Sequence, residues 1–166
     1  MSYSGRAAAV RRILVANSTE RQRLIDEHPE AALVTARLPL RANLSVLENI
    51  ALVPRFRRGA SAADATRYAA ELLAAVNRGA IAPLRDPDLG HEDRFIVKLL
   101  RAVALAPPII LIDRPGRMLP DTYYPPLVDA LLDALAGRYE QCWIVDYAWN
   151  APLYPPDSNP ASSASG

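Results

Sequence analysis

Two apolar runs, "IILID" at 109–113 and "QCWIVDY" at 141–147, constrain the fold of this chain more than any other feature. Neither shows the alternation of a strand with one wet face. Both therefore predict strands buried on two faces, the habit of parallel sheets covered by helices. The neighbouring segments supply those helices. "HEDRFIVKLLRAVALA" (91–106) carries acids in its first turn and bases later, which complements a helix dipole, and "YYPPLVDALLDALAGRY" (123–139) predicts a helix closed by Gly137. Helix, strand, helix, strand in succession over 92–147 is the α/β alternation of right-handed crossovers.

Upstream, "RRILVANS" (11–18) predicts a strand ended by a cap at Ser18 and Thr19, ahead of the helix-compatible "ERQRLIDEH". "AALVTA" (31–36) predicts a second short strand. In "LSVLENIALV" (44–53), Ser45 stands three residues before Glu48, the spacing of a capping box at a helix start. "SAADATRYAAELLAAVNRG" (61–79) predicts an alanine-rich packing helix stopped at Gly79, and "APLRDPDLG" (82–90) a turn-rich loop. The C-terminal "YPPDSNPASSASG" has too little apolar surface to order itself. The expected organisation is one domain over 1–154, with a helical subdomain at about 44–106, and a disordered tail over 155–166.

At 166 residues, 51% of them hydrophobic, the chain can bury the core of one domain. Its net charge of +1 offers no field for a polyanion, so nucleic acid is not an expected partner. Cys142 is the single cysteine, and His28 and His91 lack metal-ligand spacing, so no metal ligands are assigned and a reduced, cytoplasmic setting fits. No apolar run reaches the roughly 20 residues of a membrane span, and the start lacks a signal-peptide core, which predicts a soluble protein able to dock on a membrane complex. His91 is expected as an exposed helix-start residue and Cys142, beside Trp143, as core; neither receives a catalytic role.

Taken in order, the landmarks over 31–147 resemble the ATP-binding subunit of an ABC transporter from its Q-loop strand onward. "ALVTARLPLRANLSVLENIAL" has the layout of that family's strand ending in glutamine, then a loop, then a T/S-V-x-E-N helix, with Ala36 at the glutamine position. "LGHEDRFIVKLLRAVALAPPIILIDRP" has the register of LSGGQ, helix, proline, four apolar residues and Asp-Glu-Pro. Leu89, Gly90, His91, Glu92 and Asp93 thus lie at the signature position, with only the first leucine kept in place. Asp113 matches the Walker B aspartate, Arg114 replaces the catalytic glutamate, and Pro115 matches the proline after it. Leu119 fits the D-loop leucine with Pro120 for its aspartate, and Tyr147 stands at the switch-histidine position. Within the family, the segment is similar to ATPases of lipid and organic-solvent-tolerance transporters.

The resemblance implies an α/β fold: a truncated P-loop NTPase-like (ABC ATPase) domain with a mostly parallel sheet and a helical subdomain. It also implies lost chemistry. No G-x-x-x-x-G-K-[ST] occurs, Lys98 is the sole lysine, and "RRILVANS" would correspond to the strand after the P-loop helix. Arg114 cannot accept a proton near neutral pH, and Glu92 with Asp93 would set negative charge against a phosphate. ATP and magnesium binding are therefore expected to be weak or absent, with no cofactor and no catalytic residue, and Arg114 is expected to pair with Asp113 in the space magnesium would fill.

The implied function is a catalytically inactive accessory or regulatory subunit of a transporter for lipid or organic solvent, on the cytoplasmic membrane face. Its implied partner is a membrane permease, with room for a second, active ATPase subunit. In the family a coupling helix of the permease docks between the Q-loop and the helical subdomain, which nominates Leu44, Ser45, Val46, Leu47, Glu48 and Asn49 as contacts. Two alternatives stay open: an ATPase subunit completed by another chain, and an unrelated stand-alone α/β regulator or enzyme with a pocket at its strand ends.

Overall fold

The computed structural model describes residues 9–154, so the tail expected over 155–166 lies outside the described residues. Strands β1 (Ala9–Val15), β2 (Ala32–Val34), β3 (Ile109–Asp113) and β4 (Gln141–Tyr147) form one sheet in the order β1-β4-β3-β2, and every pairing is parallel. The two apolar runs are its central pair. Every residue of β3 is buried, and its alternate side chains feed two cores. Leu111 packs with Val15 and Val145 beneath Leu24 and Ile25 of helix α1 (Ser18–Asp26). Ile110 and Ile112 join the larger core, where α4 (His91–Ala104) buries Phe95, Ile96, Leu99 and Leu100, and α5 (Tyr124–Ala134) buries Leu131 and Leu132. A strand covered on both faces has no position left for a polar side chain until its end, where Asp113 stands.

Helices α2 (Val46–Arg58) and α3 (Ala62–Ala75) precede α4 and pack with it as a helical unit inserted between β2 and β3. The capping box forms as its spacing predicts: Glu48 N–H donates to Ser45 Oγ, and Ser45 N–H to Glu48 Oε1, both at 3.1 Å. Several boundaries differ from the sequence expectation. α2 runs past Pro54 to Arg58 and stops at Gly59 (φ 62°), where Ala60 N–H bonds the Pro54 carbonyl at 3.1 Å. α3 ends before Gly79, because Asn77 takes the left-handed conformation (φ 58°) and Arg78 N–H returns to the Leu73 carbonyl at 2.8 Å. Asparagine tolerates that region better than most residues with a Cβ. β1 spans 9–15 instead of 11–18, and the cap of α1 is Asn17, not Ser18 or Thr19.

Two buried polar side chains fix the loops. Asn49 accepts from Arg41 N–H at 2.9 Å and donates to the carbonyls of Arg41, Leu44 and Ser45, which welds the loop before α2 onto that helix. Asp146, at the end of β4, accepts from the hydroxyls of Tyr124 and Tyr154, from Asn150 and from Tyr147 N–H, which holds the segment after β4 against the sheet. Burial, together with the Asp146 carboxylate, keeps both tyrosine hydroxyls protonated well above their ordinary range.

Replacing Asn49 with alanine strands one N–H and as many as three carbonyls in a part-buried loop, so Asn49→Ala is expected to cost about 2–3 kcal/mol. Urea unfolding monitored by circular dichroism tests this; a loss under about 0.5 kcal/mol would mean that water replaces the asparagine freely.

Candidate functional site

Parallel strands deliver their C-terminal ends to one edge, where ligand sites of open α/β sheets gather. Here that edge is closed by an ion cluster. Asp113 is 2% exposed and its carboxylate is shared by two guanidinium groups. Arg21 Nη1 donates to Oδ2 at 3.1 Å from α1, and Arg114 Nε donates to Oδ1 at 3.1 Å with Nη2 reaching Oδ2 at 3.4 Å. Thr35 Oγ1, just past β2, adds a bond to Oδ2 at 3.2 Å. Arg114 has left-handed backbone (φ 48°), a conformation costing an arginine on the order of 1 kcal/mol, and its N–H is tied to the Val145 carbonyl at 2.8 Å. Burial alone would lower the Arg114 pKa, but the hydrogen bond and charge of Asp113 outweigh it and raise it. The Asp113–Arg114 pairing expected from the sequence is present, and Arg21 adds a second cation.

The approach of α1 revises the expectation that "RRILVANS" lies downstream of any phosphate-loop unit. β1 pairs with β4 and turns directly into α1, which is strand, tight turn and helix, the connectivity of a P-loop. Only Ala16 and Asn17 lie between the strand and the helix, with neither glycine nor lysine. The helix start is already occupied by its own side chains: Glu20 N–H donates to Asn17 Oδ1 at 2.9 Å, and Ala16 N–H to Glu20 Oε2 at 2.8 Å. A carboxylate therefore sits where a phosphate would use the exposed amides and the positive end of the helix.

The remaining sequence candidates spread over two regions. Leu89 is buried, Gly90 caps α4 without a side-chain bond, and His91 is exposed at its first position. Glu92 and Asp93 are not the free negative pair expected from the sequence. Arg78 bridges both, at 3.0 Å to each, so one of the two negative charges assigned to that face is balanced. Ala36 is exposed one residue after Thr35, Pro115 is buried, and Tyr147 stacks on Trp149 with ring centroids 4.1 Å apart, Arg114 lying 6.0 Å from its ring. Leu119 is core, and Pro120 is exposed. Cys142 is fully buried, and burial pushes its thiol up to about 12. Among the described residues no group of acidic, histidine or cysteine side chains could hold a metal ion.

A second concavity lies away from the ion cluster. β2, α2, α4 and the loop before α2 frame an open groove of about 600 Å³. Leu38 and Phe56, 48% and 78% exposed, stand on it, and Lys98 lines it from α4 while donating to the Thr35 carbonyl at 3.2 Å. Of the nominated contacts Leu44 to Asn49, only Asn49 borders the groove. Val46 is core, Asn49 is buried in its loop lock, Ser45 and Glu48 are engaged in the cap, and Leu44 and Leu47 are half-buried. The groove's exposed side chains come instead from 38–41 and 52–57.

A parallel sheet with a helical unit between β2 and β3, and an acid carried by β3 to the strand ends, is the fold of an ATP-binding cassette. The chain superposes on the dimeric ATP-binding cassette MJ0796, in a post-hydrolysis state bound to ADP and Pi, with a TM-score of 0.65 at 22% identity over 86% of this chain and 76% of that one. A structure described as an inward-facing ABC transporter of metal-chelate type gives 0.61 at 17% identity, covering 84% of this chain and 63% of that one. By sequence, the chain is 29% identical over 124 residues to the lipoprotein-releasing system ATP-binding protein LolD of Jannaschia sp. (strain CCS1). That match covers 75% of this chain and 54% of the relative, so the chain spans about half the length of LolD. No family model matches the chain. In sequence and in fold it is thus similar to the ATP-binding subunits of ABC transporters.

That fold implies magnesium and a nucleotide triphosphate, and the residues present at this edge do not fit them. Both oxygens of Asp113 are held by guanidinium groups, the next residue is a cation, and the turn before α1 is closed by Glu20. Removing one guanidinium leaves a buried carboxylate under-compensated, so Arg21→Met is expected to cost about 3 kcal/mol. Arg114→Ala should cost less and also lower the thermal midpoint. Because the two arginines share one carboxylate, the double variant should cost more than the sum, measured as a double-mutant cycle in urea. Additive and small losses would show that water carries the charge. Cys142 is expected to resist thiol reagents at pH 8 in the native protein and to react once the chain is unfolded in urea.

Proposed function

We propose that the chain is a non-hydrolysing cassette-fold subunit that docks on the permease of an ABC transporter. The observation that carries this reading is the Asp113 carboxylate held between Arg21 and Arg114, with a protein cation where a motor would need a divalent metal. A glutamate beside that aspartate orients attacking water in a hydrolysing enzyme, and an arginine there has no lone pair to accept its proton. The self-capped start of α1 supports the same reading, since Ala16 N–H and Glu20 N–H are already bonded to its own side chains. Docking is supported by the open groove between β2 and the helical unit, which presents apolar side chains to solvent. No helix among the described residues is long and apolar enough to cross a membrane. The sequence similarity to the ATP-binding protein of a lipoprotein-releasing system favours a transporter of that kind as the setting.

Two measurements test the proposal. Titration of the purified chain with a fluorescent ATP analogue and magnesium is expected to give no saturable binding below about 100 μM, and phosphate release should equal that of the Asp113→Asn variant. Saturable binding with turnover lost in Asp113→Asn would instead establish an active ATPase subunit. The tagged chain is expected to retain an ABC permease from detergent-solubilised membranes of its source, identified by mass spectrometry; retention of none would overturn the docking half of the proposal.

A further inference from the structure

The last turn of α2 stands clear of the domain. Four successive residues of a helix point around its whole circumference, so a helix lying flat against a core buries at least one of them. Arg55, Phe56, Arg57 and Arg58 are all exposed, beyond the buried Pro54 and before the stop at Gly59. Phe56 is 78% exposed, more than any other large apolar side chain among the described residues. The two aromatic groups next in exposure each have a local partner: Trp149 stacks on Tyr147, and the Tyr123 hydroxyl donates to the Leu153 carbonyl at 2.7 Å. Among the described residues, Phe56 packs into neither core and pairs with no other ring.

The charge around this ring is of one sign. Residues 31–63 hold five arginines, Arg37, Arg41, Arg55, Arg57 and Arg58, and one acid, Glu48, although the whole chain is balanced to +1. Glu48 is engaged in the capping box at the other end of α2. None of the five arginines makes an ion pair among the described residues; Arg58 lies over the Tyr68 ring instead, 5.5 Å from its centroid. Cations at a helix C-terminus complement its dipole, which accounts for arginines on the last turn. It accounts neither for Phe56 among them nor for Arg37, Leu38 and Arg41, exposed on the loop before α2. The two clusters adjoin, since Leu38, Arg41, Phe56 and Arg57 border one concavity. A projecting turn with one apolar ring set among cations is complementary to a broad anionic surface over an apolar interior. We infer that the tip of α2 attaches the chain directly to an anionic lipid bilayer, Phe56 entering the boundary between headgroups and acyl chains while the five arginines face headgroup phosphates. A protein partner is the rival occupant. Convexity favours the bilayer, because a flat surface reaches every side chain of a projecting turn. Such attachment needs no permease, so it does not rest on the docking reading above.

The probe is a vesicle of phosphatidylcholine mixed with phosphatidylglycerol, compared with phosphatidylcholine alone in co-sedimentation with the full chain. Binding is expected to the mixed vesicles only, and it should weaken as salt rises. Arg55→Gln with Arg57→Gln should reduce it roughly thirtyfold, and Phe56→Ser about tenfold. Both variants should keep the fold by circular dichroism, since the altered side chains are exposed and make no hydrogen bond among the described residues. Arg23→Gln with Arg138→Gln removes the same charge from other exposed positions and should leave binding within about threefold of the unaltered chain. Equal binding to the two kinds of vesicle, equal losses in the two double variants, or an unaffected Phe56→Ser variant would overturn the inference. If vesicles are not bound and a permease is retained by the unaltered chain but not by Arg55→Gln with Arg57→Gln, the tip meets protein: the docking reading stands and the lipid inference is refuted. If the mixed vesicles are bound selectively and no permease is retained, the lipid inference stands and the docking reading is refuted.

Discussion

The arrangement at the strand ends depends on one buried carboxylate that two guanidinium groups share. Moving Asp113 out of water costs several kcal/mol, and a single arginine with incomplete bonding would recover only part of it. Arg21 and Arg114 together give both oxygens charged donors, and Thr35 supplies a neutral one. The triad fixes α1 against β3, holds Arg114 in a left-handed conformation that it would not choose alone, and ties the end of β2 to both. Its formal charge is one negative against two positive. A divalent cation brought to this place would meet net positive charge and a carboxylate bonded at both oxygens.

α1 explains how the second cation arrives. The connection from β1 is two residues long, so the helix starts close to the sheet edge and its first turns lie over the end of β3. A loop built to wrap phosphates needs length and glycines, so that several amides point inward at once. Here the turn is short, Asn17 and Glu20 each bond one of its amides, and the residue that reaches inward is an arginine one turn along. The same topology that could present a phosphate cradle presents a plug.

The sheet was legible in the sequence because burial on both faces leaves no alternation: β3 was placed to the residue and β4 likewise. The α2 capping box was legible because two side chains at a fixed spacing make it. Arg114 against Asp113 followed from adjacency. Arg21 did not, since an arginine in the polar stretch "ERQRLIDEH" looks like any solvated helix residue until the tight turn brings it to a carboxylate 92 residues away. Thr35 was hidden for the same reason. The pairing of Glu92 and Asp93 with Arg78 depends on the left-handed turn at Asn77, which moved the end of α3. Of the nominated contacts, Ser45 and Glu48 are engaged in capping and Asn49 in its loop lock, which leaves the groove's exposed side chains to the segments on either side.

Thr35 joins the two regions. Its hydroxyl donates to Asp113 in the triad, and its carbonyl accepts from Lys98 in the groove. A motor that passes the state of a nucleotide to a partner needs a junction with two discrete arrangements, each favoured by a different ligand. At this junction the hydroxyl is committed to a buried ion cluster, and moving it away would take a donor from the Asp113 carboxylate. On the proposed reading, a partner segment in the groove would meet a backbone tied through Thr35 to the ion cluster. Under that proposal the junction would offer a fixed binding surface to a partner that the subunit holds without driving.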